Sequence, residues 1–315
     1  MRAVLLDRIT PAEQVVLTET ELPKVRPGWV LVKVKAFGMN HSEQILRLSE
    51  IEAGYIQKPI IPGIECAGEI ADASDSGFAA GQRVIAMMGG MGRSFHGSYA
   101  EYALLPVSHV FAVESKLSWE RLAAIPETYF TAWGSLFECL RLKTDDTLLI
   151  RGATCALGYA AIQIAKALGC TVIATTHREN KLPLLSGADE AVLDGGTLSG
   201  SIRGVTKALD LVGPKYLRDT LRAVEAGGIV CNTGILGGVY ALNGFDPIKE
   251  IPNGVYLTGF FSNYPTQETV NDIMAFLNSR RLEPMVGASY DFDHIRDACI
   301  ALDGGRVNGK IVVTV

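Results

Sequence analysis

The chain has 315 residues, of which 48% are hydrophobic and 20% charged, and its formal net charge is −5. This composition is that of a globular protein, with a length suited to about two domains, and it excludes a disordered or collagen-like chain. The sequence contains no run of five or more Lys and Arg residues. A nucleic-acid partner, which requires a basic surface, is therefore not expected.

The sequence also carries no signal for a membrane or an oxidising compartment. No stretch of 18 apolar residues occurs, so neither a transmembrane helix nor a membrane partner is expected. Asp7 and Arg8 interrupt the apolar segment that a signal peptide needs, and we expect a cytoplasmic protein. Six cysteines are scattered without a C-x-x-C motif. This spacing predicts free, buried thiols and neither a disulfide framework nor a metal site.

The N-terminal part of the chain predicts strands and turns. In the segment Trp29–Ala36, the side chains of Val30, Val32, Val34 and Ala36 fall on one face, which is the period of a half-buried strand. A shorter strand is predicted at Gln14–Thr20, and frequent Pro-Gly and Gly-Gly pairs predict turns between such strands.

From residue 118 onward, strand-like and helical segments alternate, which predicts βαβ units and a parallel sheet covered by helices on both faces. The predicted strands are Thr147–Arg151, Thr171–Thr175, Ala191–Asp194, Ala208–Val212, Gly228–Asn232 and Val255–Phe261. The predicted helices are Ala156–Leu168, Glu179–Ser186 and Pro214–Ala226, followed by one that Thr266 caps and one that Asp293 caps. A strand, Lys310–Val315, closes the chain.

A glycine-containing turn joins the first of these strands to its helix. Gly152, Ala153, Thr154, Cys155, Ala156 and Leu157 precede Gly158 within a βαβ unit of about thirty residues. Backbone N–H groups at the start of that helix would face the pyrophosphate of a dinucleotide, and small residues would let the backbone approach it. A strict G-x-G-x-x-G motif would have glycine at positions 153 and 155. The alternative interpretation is therefore a purely structural strand-to-helix turn.

The end of the second strand bears on the choice of cofactor. An NAD-binding unit usually has an acidic residue here for the ribose 2′-hydroxyl, whereas this chain has Thr175 and Thr176, followed by His177, Arg178 and Lys181. Hydroxyl and cationic groups suit a 2′-phosphate, which Arg binds bidentately. The sequence thus favours NADP(H), with a solvated charged turn as the alternative.

Several ordered motifs resemble those of the medium-chain dehydrogenase/reductase superfamily, on its zinc-independent, quinone-oxidoreductase-like side. They are Gly38-Met-Asn-His41, Pro59-Ile-Ile-Pro-Gly-Ile-Glu-Cys-Ala-Gly68, Gly81-Gln-Arg-Val84, Gly97-Ser-Tyr-Ala-Glu-Tyr102, the turn Arg151–Gly158 and Gly309-Lys-Ile-Val-Val313. The resemblance implies an α/β protein made of a Rossmann-type doubly wound parallel sheet plus a GroES-like mostly-β domain. It places the GroES-like domain at residues 1–118 and 265–315 and the NADP-binding domain at residues 119–264. It also implies a cofactor cleft between the domains and a homodimer.

The resemblance further implies that the chain works without zinc. Zinc-dependent members of the family carry Cys at the position of Asn40, His at that of Ile64 and a later Cys near Glu127. Amide and aliphatic side chains are poor zinc ligands. The cysteine-rich loop that binds structural zinc in the family is also missing.

Without a metal, hydrogen bonds must polarise the acceptor, and NADPH would supply the hydride. A small-molecule quinone or an α,β-unsaturated carbonyl suits this chemistry because conjugation spreads the developing charge. By resemblance, Asn40 and Tyr55 are the candidates that face the acceptor. Asn40 as a turn residue, Tyr55 as a loop aromatic and His41 as a locally bonded side chain are the alternatives.

The resemblance also extends the cofactor site beyond the glycine turn. The further positions that it implies are Thr128, Thr131, Thr233, Gly234, Ile235, Phe260, Phe261, Ser262, Asn308 and Lys310. Two alternative functions remain open at this point. One is an enoyl-thioester or ketone reductase on the same scaffold, and the other is an NADPH-binding redox sensor or structural protein with little catalysis. Cys155 keeps the sensor open, because a thiol at a helix N-terminus has a lowered pKa.

Overall fold

Fifteen strands and eight α-helices form the secondary structure of the computed structural model, which describes all residues 1–315. The strands are β1 (Arg2–Val4), β2 (Leu17–Glu19), β3 (Trp29–Met39), β4 (Glu65–Asp72), β5 (Arg83–Met87), β6 (Tyr102–Pro106), β7 (Val110–Ala112), β8 (Thr147–Arg151), β9 (Thr171–Thr176), β10 (Glu190–Leu193), β11 (Lys207–Asp210), β12 (Ile229–Asn232), β13 (Tyr256–Gly259), β14 (Val286–Asp291) and β15 (Lys310–Thr314). The α-helices are α1 (His41–Leu48), α2 (Trp119–Ala123), α3 (Pro126–Trp133), α4 (Ala156–Leu168), α5 (Leu217–Ala223), α6 (Pro247–Glu250), α7 (Gln267–Arg280) and α8 (Ile295–Gly304).

The chain divides into two units. Unit 1 consists of Met1–Phe130 together with Ser262–Val315, and unit 2 consists of Thr131–Phe261. The helix α3 thus begins in unit 1 and ends in unit 2. The sequence-based division, with its boundaries after residues 118 and 264, assigns all of α3 and α2 to the cofactor-binding domain. The domain boundaries implied by the resemblance remain a proposal. Units 1 and 2, which are defined by the contacts, are used below.

Unit 1 is built on a mostly antiparallel sheet in the order β14-β15-β3-β4-β5-β7, with β6 paired to β3 and a separate β1-β2 hairpin-like pair. The long strand β3 is its centre, because it pairs with β15, β4 and β6. The pairing of β3 with β4 contains two register shifts, which bend the sheet. Alternate valines of β3 are buried in one apolar core with residues of β4, β5 and α8. This is the GroES-like domain that the sequence predicts.

Unit 2 is a six-stranded parallel sheet in the order β10-β9-β8-β11-β12-β13. The order reverses between β8 and β11, so this is the doubly wound topology in which ligands bind beyond the carboxyl ends of the strands. The fold class predicted from the sequence is therefore confirmed for both units. No helix in the structure combines the length and the apolar character needed to span a bilayer.

Local signals explain where α4 and α7 begin, whereas one predicted cap is wrong. Cys155 lies at the N-cap of α4 and Gly169 ends the helix with φ of 100°, so its bounds are those predicted. Thr266 caps α7, as expected. The prediction that Asp293 caps the last helix is wrong. The carboxylate of Asp291 accepts the backbone N–H of His294 and caps a short 3₁₀ turn that leads into α8.

Candidate functional site

The turn after β8 in unit 2 is held against β9 by two hydrogen bonds. The N–H of Gly152 donates to Thr175 Oγ1 at 3.1 Å, and the N–H of Ala153 donates to the Thr175 carbonyl at 2.8 Å. Gly152 has φ of 82°, a conformation that suits glycine. The turn is therefore a rigid connection between the sheet and α4.

Gly158 lets the start of α4 approach this turn closely. A Cβ atom at position 158 would lie 2.2 Å from the carbonyl oxygen of Ala153. The side chain of Cys155 accepts the N–H of Gly158 at 3.4 Å. This close packing is the role of the third glycine in a dinucleotide-binding turn.

At the start of α4, the N–H of Gly158 is taken by Cys155 Sγ, whereas the N–H groups of Ala156 and Leu157 are among the four that a helix leaves without intrahelical partners. Thr154 also lies beside β9, with its hydroxyl 3.3 Å from that of Thr176. Together with the positive end of the helix dipole, these amides form an anion site at the carboxyl edge of the sheet. The turn that the sequence predicts as the pyrophosphate site thus has the geometry to fit it.

Cations gather where β9 ends. Thr175 and Thr176 are buried, and Arg178 Nε lies 3.3 Å from His177 Nε2. The pKa of His177 is lowered by partial burial and by the charges of Arg178, Lys181 and Lys215. Burial and the charge of Arg178 also lower the pKa of Lys181. The charges of Arg178, Lys181 and Lys215 thus all lie within electrostatic reach of the His177 ring.

Lys215 is a member of this group that the sequence did not reveal. It follows β11, far along the chain from His177, and its ammonium lies 5.1 Å from the ring centre of Tyr216. Only the parallel sheet brings the loop after β11 to the end of β9. The group of Arg178, Lys181 and Lys215 is called the cationic group below.

Arg151 forms a buried ion network beside the turn, and sequence reasoning missed its role. Its side chain is fully buried and donates to Asp194 at 2.7 and 3.0 Å, to Asp219 at 2.9 Å and to Thr220 at 3.0 Å. Asp194 follows β10, whereas Asp219 and Thr220 lie in α5. The sequence did contain a signal for this network, because Arg151 ends an otherwise apolar strand. A buried charge requires a partner, so acidic side chains were to be expected around it.

The other predicted cofactor residues of unit 2 lie around β12 and β13. Thr233 Oγ1 lies 2.9 Å from Ser135 Oγ, and Gly234 packs against the backbone of Leu211. The ring of Phe260 covers Gly134, where a Cβ would lie 2.0 Å from the ring. Ile235, Phe261 and Thr131 complete the set; Phe261 is 71% exposed and Thr131 is buried.

A buried polar cluster in unit 1 surrounds Asn40, the residue between β3 and α1. The ammonium of Lys310 contacts Glu65 Oε1 at 2.5 Å, Asn40 Oδ1 at 2.6 Å and Thr128 Oγ1 at 2.9 Å. The amide nitrogen of Asn40 donates to Glu65 Oε1 at 2.8 Å, and Glu65 Oε2 accepts the N–H of Glu127 at 2.8 Å. The structure therefore brings together three predicted site residues, Asn40, Thr128 and Lys310.

The surroundings of Lys310 favour its charged ammonium form. Burial would lower the pKa of Lys310, but the carboxylates of Glu65, Glu127 and Glu43 raise it overall. All three hydrogens of the ammonium are used within the unit. Lys310 thus holds the Asn40 side chain in one orientation in this structure.

Glu43, in the first turn of α1, is a second carboxylate that the sequence analysis did not single out. It accepts the N–H groups of Asn40 at 2.8 Å and Ile64 at 3.0 Å. Complete burial raises its pKa to about 7, and the nearby charge of Glu65 adds to this effect. For Glu65 the signal was an acidic residue within an apolar stretch, and for Glu43 it was the position three residues after Asn40, as in a capping box.

Tyr55 lies outside this cluster. Its side chain is 65% exposed, and its hydroxyl donates to Glu50 Oε1 at 2.7 Å, which raises the pKa of Tyr55. Glu50 also binds Arg93 through two contacts of 2.9 and 2.7 Å, and Arg93 donates to Ser42 Oγ at 2.8 Å. Tyr55 is therefore joined to the loop that contains Arg93.

Three further sequence candidates lie elsewhere in unit 1. His41 is exposed at the start of α1. Ser262 is partly buried in the loop after β13. Asn308 Oδ1 is buried and has no hydrogen-bond partner. A buried acceptor without a partner is a group that a bound ligand can satisfy.

The donor set around Asn40 does not suit a zinc ion. Ile64 offers no ligand atom, and the amide of Asn40 is already bound by Glu65 and Lys310. The ammonium of Lys310, which is bound to Asn40 and Glu65, would repel a cation held by these side chains. No three His, Cys, Asp or Glu side chains are arranged to hold a metal.

A doubly wound parallel sheet with a close-packed dinucleotide turn, in a chain that also forms a GroES-like β unit, defines the class of two-domain, nicotinamide-dependent oxidoreductases. Comparison with family models agrees with this class. Residues 26–115 match the alcohol dehydrogenase GroES-like domain, and residues 186–313 match the zinc-binding dehydrogenase domain. The chain is therefore a member of the medium-chain dehydrogenase/reductase superfamily.

Individual relatives point the same way. The human quinone oxidoreductase is 28% identical over 330 aligned positions, which cover 99% of this chain and 97% of that protein. An NAD-dependent alcohol dehydrogenase of known structure is 26% identical, with a TM-score of 0.86 over all of both chains. The quinone oxidoreductase from Coxiella burnetii is 22% identical, with a TM-score of 0.86 over all of this chain and 99% of that one, and shares the fold.

Proposed function

We propose that this protein is a zinc-free, NADPH-dependent reductase of quinones or α,β-unsaturated carbonyls. The observation that carries the proposal is the cationic group at the end of β9, where threonines replace the acidic residue of an NAD site. The quinone oxidoreductase relatives support the choice of acceptor. A homodimer and a cytoplasmic location remain part of the proposal.

In this proposal, the α4 turn binds the pyrophosphate and the cationic group binds the 2′-phosphate. Arg178 and Lys215 are exposed, and Lys181 is buried beside them. A dianionic phosphate would offset the mutual repulsion of the three cations. NADP(H) supplies the hydride when it is bound. The acidic ribose partner of an NAD site has no counterpart at Thr175 or Thr176.

Asn40 is the proposed donor to the acceptor oxygen. One of its amide hydrogens is used by Glu65 at 2.8 Å, whereas the other makes only a long contact of 3.5 Å with Glu43. The Lys310 ammonium on Asn40 Oδ1 polarises the amide and strengthens its remaining N–H as a donor. This N–H can stabilise the negative charge that develops on a carbonyl oxygen.

Such a single neutral donor suits a conjugated acceptor. Reduction of a quinone or enone adds one hydride and one proton, and conjugation spreads the charge between the two additions. Tyr55 is the second proposed acceptor-facing group, and it would have to exchange its hydrogen bond to Glu50 for one to the substrate.

The first test measures nucleotide affinity by fluorescence titration with NADPH and NADH. The wild-type chain should bind NADPH at least tenfold more tightly than NADH. Arg178→Gln should weaken NADPH binding by about tenfold, or ~1.4 kcal/mol, and leave NADH binding within about twofold, because it removes a phosphate contact. Arg203→Gln, which changes an exposed cation elsewhere in unit 2, is the matched control. Equal affinities of the wild type for the two nucleotides would refute the NADPH assignment.

The second test measures turnover of 1,4-benzoquinone, a naphthoquinone and an enone with NADPH. Asn40→Ala should lower kcat by about 10²-fold, as expected for the loss of one oxyanion donor, while NADPH affinity stays unchanged. Asn278→Ala, on an exposed helical position, should leave kcat intact. Unchanged turnover in Asn40→Ala would remove this residue from its proposed role. Nucleotide binding with no turnover on any acceptor would favour the redox sensor.

A further inference from the structure

Unit 1 contains a cavity, distinct from the Asn40 cluster, with a volume of about 380 Å³. Sites for small organic molecules usually occupy 300–1,000 Å³, so this cavity has room for one or two fused rings. The lining residues that matter most are Arg26, Trp29, Lys58, Phe95, His96 and Tyr102. None of them belongs to the machinery proposed above.

The Trp29 wall of the cavity lies at the far end of β3 from Asn40, although the Ile61 wall is only three residues from Ile64, which donates to Glu43. Trp29 is the first residue of β3, and Asn40 follows its last residue. At about 3.3 Å per residue, the two are separated by roughly 35 Å of extended strand. The bend in β3 shortens this path but leaves the two residues at opposite ends of the strand.

Aromatic rings form the walls. Trp29 and Phe95 meet edge to face, with centroids 5.2 Å apart and planes at 87°. The guanidinium of Arg26 lies 4.0 Å from the centre of the Trp29 ring. Ile60, Ile61 and Leu104 add aliphatic surface. This arrangement favours a flat apolar body, which can pack on rings at low entropic cost.

The charge at the cavity has one sign. Its charged side chains are Arg26 and Lys58, and no Asp or Glu lines it. Two acidic residues close in sequence to the lining are already engaged, since Asp75 accepts the N–H of Gly28 at 2.8 Å and Glu19 lies 3.7 Å from the N-terminal ammonium. Neither Arg26 nor Lys58 takes part in any of the salt bridges of the structure.

His96 adds a directed donor. Its Nδ1 accepts the backbone N–H of Ile61 at 3.2 Å, so the neutral ring carries its proton on Nε2. Two cations and this N–H would match the oxygens of a carboxylate. A bare inorganic anion would leave the aromatic walls unused, and a neutral ring would leave the cations without a counter-charge.

We propose that this cavity is an accessory binding site for a small aromatic carboxylate of one or two fused rings. The ring packs against the Trp29–Phe95 pair and the aliphatic surface of Ile60 and Leu104, and its carboxylate faces Arg26 and Lys58. This site does not depend on the proposed reductase activity. It would bind its ligand whether or not a nucleotide is present.

The test uses 2-naphthoate as the probe and the full-length chain, with affinity measured by calorimetry in the presence and absence of saturating NADPH. Binding should be the same in both conditions, and the neutral 2-naphthamide should bind at least tenfold more weakly. The double variant Arg26→Gln/Lys58→Gln should lower naphthoate affinity at least tenfold. Lys24→Gln, on an exposed cation that does not line the cavity, should leave it unchanged.

A second variant separates the aromatic wall from the charges. Trp29→Leu should weaken both naphthoate and naphthamide, whereas Trp29→Phe should retain naphthoate binding within about threefold. Thermal unfolding and NADPH titration verify that each variant is folded. The proposal is overturned by no naphthoate binding to the wild type, by equal affinity in the double variant, or by competition with NADPH.

Discussion

Glu43 illustrates what burial does to a single side chain. Its carboxylate lies in the core of unit 1, within reach of two backbone N–H groups and near the charge of Glu65. Burial raises its pKa to about 7, above that of an exposed glutamate. The folded state therefore holds a proton that the unfolded state releases at lower pH.

This difference predicts a pH dependence of stability. Because the folded pKa exceeds the unfolded one, the contribution of Glu43 is fully present below about pH 4.5 and is lost as the pH rises to about 7. The loss is roughly 3 kcal/mol, since each unit of pKa shift corresponds to about 1.4 kcal/mol. Urea unfolding at several pH values should show this decline in the wild type and a flatter profile in Glu43→Gln. Identical profiles for wild type and variant would contradict the assignment, and the exposed Glu52→Gln serves as control.

The ion pair between Lys310 and Glu65 is a contact that the sequence did not predict. Both residues stand in motifs that the sequence analysis quoted, and the resemblance places Lys310 in the cofactor site. Their ion pair joins the first residue of β15 to the first residue of β4. The alternation of apolar and polar residues predicts that each residue lies on a strand. It does not predict which strand ends lie next to each other in the sheet.

At the scale of elements, α4 and its turn were predictable because every signal is local. A small residue at the N-cap, an apolar helical period and a glycine after the last turn all lie in one short stretch. The helix α5 is shorter than the predicted Pro214–Ala226, with bounds Leu217–Ala223. Its first turn is displaced because Gly213, at φ of 84°, and Val212 are bound to the Asp210 carboxylate.

Because Gly158 lies against the carbonyl of Ala153, a side chain at this position should destabilise the packing of α4 on the turn after β8. In Gly158→Ala, the new methyl group would collide with the carbonyl of Ala153, so the helix start must shift. We expect a loss of about 1–3 kcal/mol in the free energy of unfolding, as for an overpacked core, together with weaker NADPH binding. Gly187→Ala is the matched control, because its nearest neighbour would be 3.5 Å away. Denaturant unfolding checks both variants, and equal stability of the two would argue against tight packing at this turn.

At the scale of the whole molecule, each unit contributes a different group of charges. Unit 2 brings Arg178, Lys181 and Lys215 together from two loops at the carboxyl edge of its sheet. Unit 1 brings Asn40, Glu65 and Lys310 together from three strand ends. The reductase proposal assigns the nucleotide to the first group and the acceptor to the second.

The sequence by itself determined the fold class, most element bounds and the dinucleotide turn, because period, capping and turn residues act over a few positions. Tertiary structure alone decided that Lys310 binds Asn40, that Lys215 joins the cations beside β9 and that Arg151 lies between two aspartates. It also brought Trp29 and Phe95 together around a cavity. These contacts join residues far apart in the chain. Their pairing depends on sheet order and register, which no local pattern specifies.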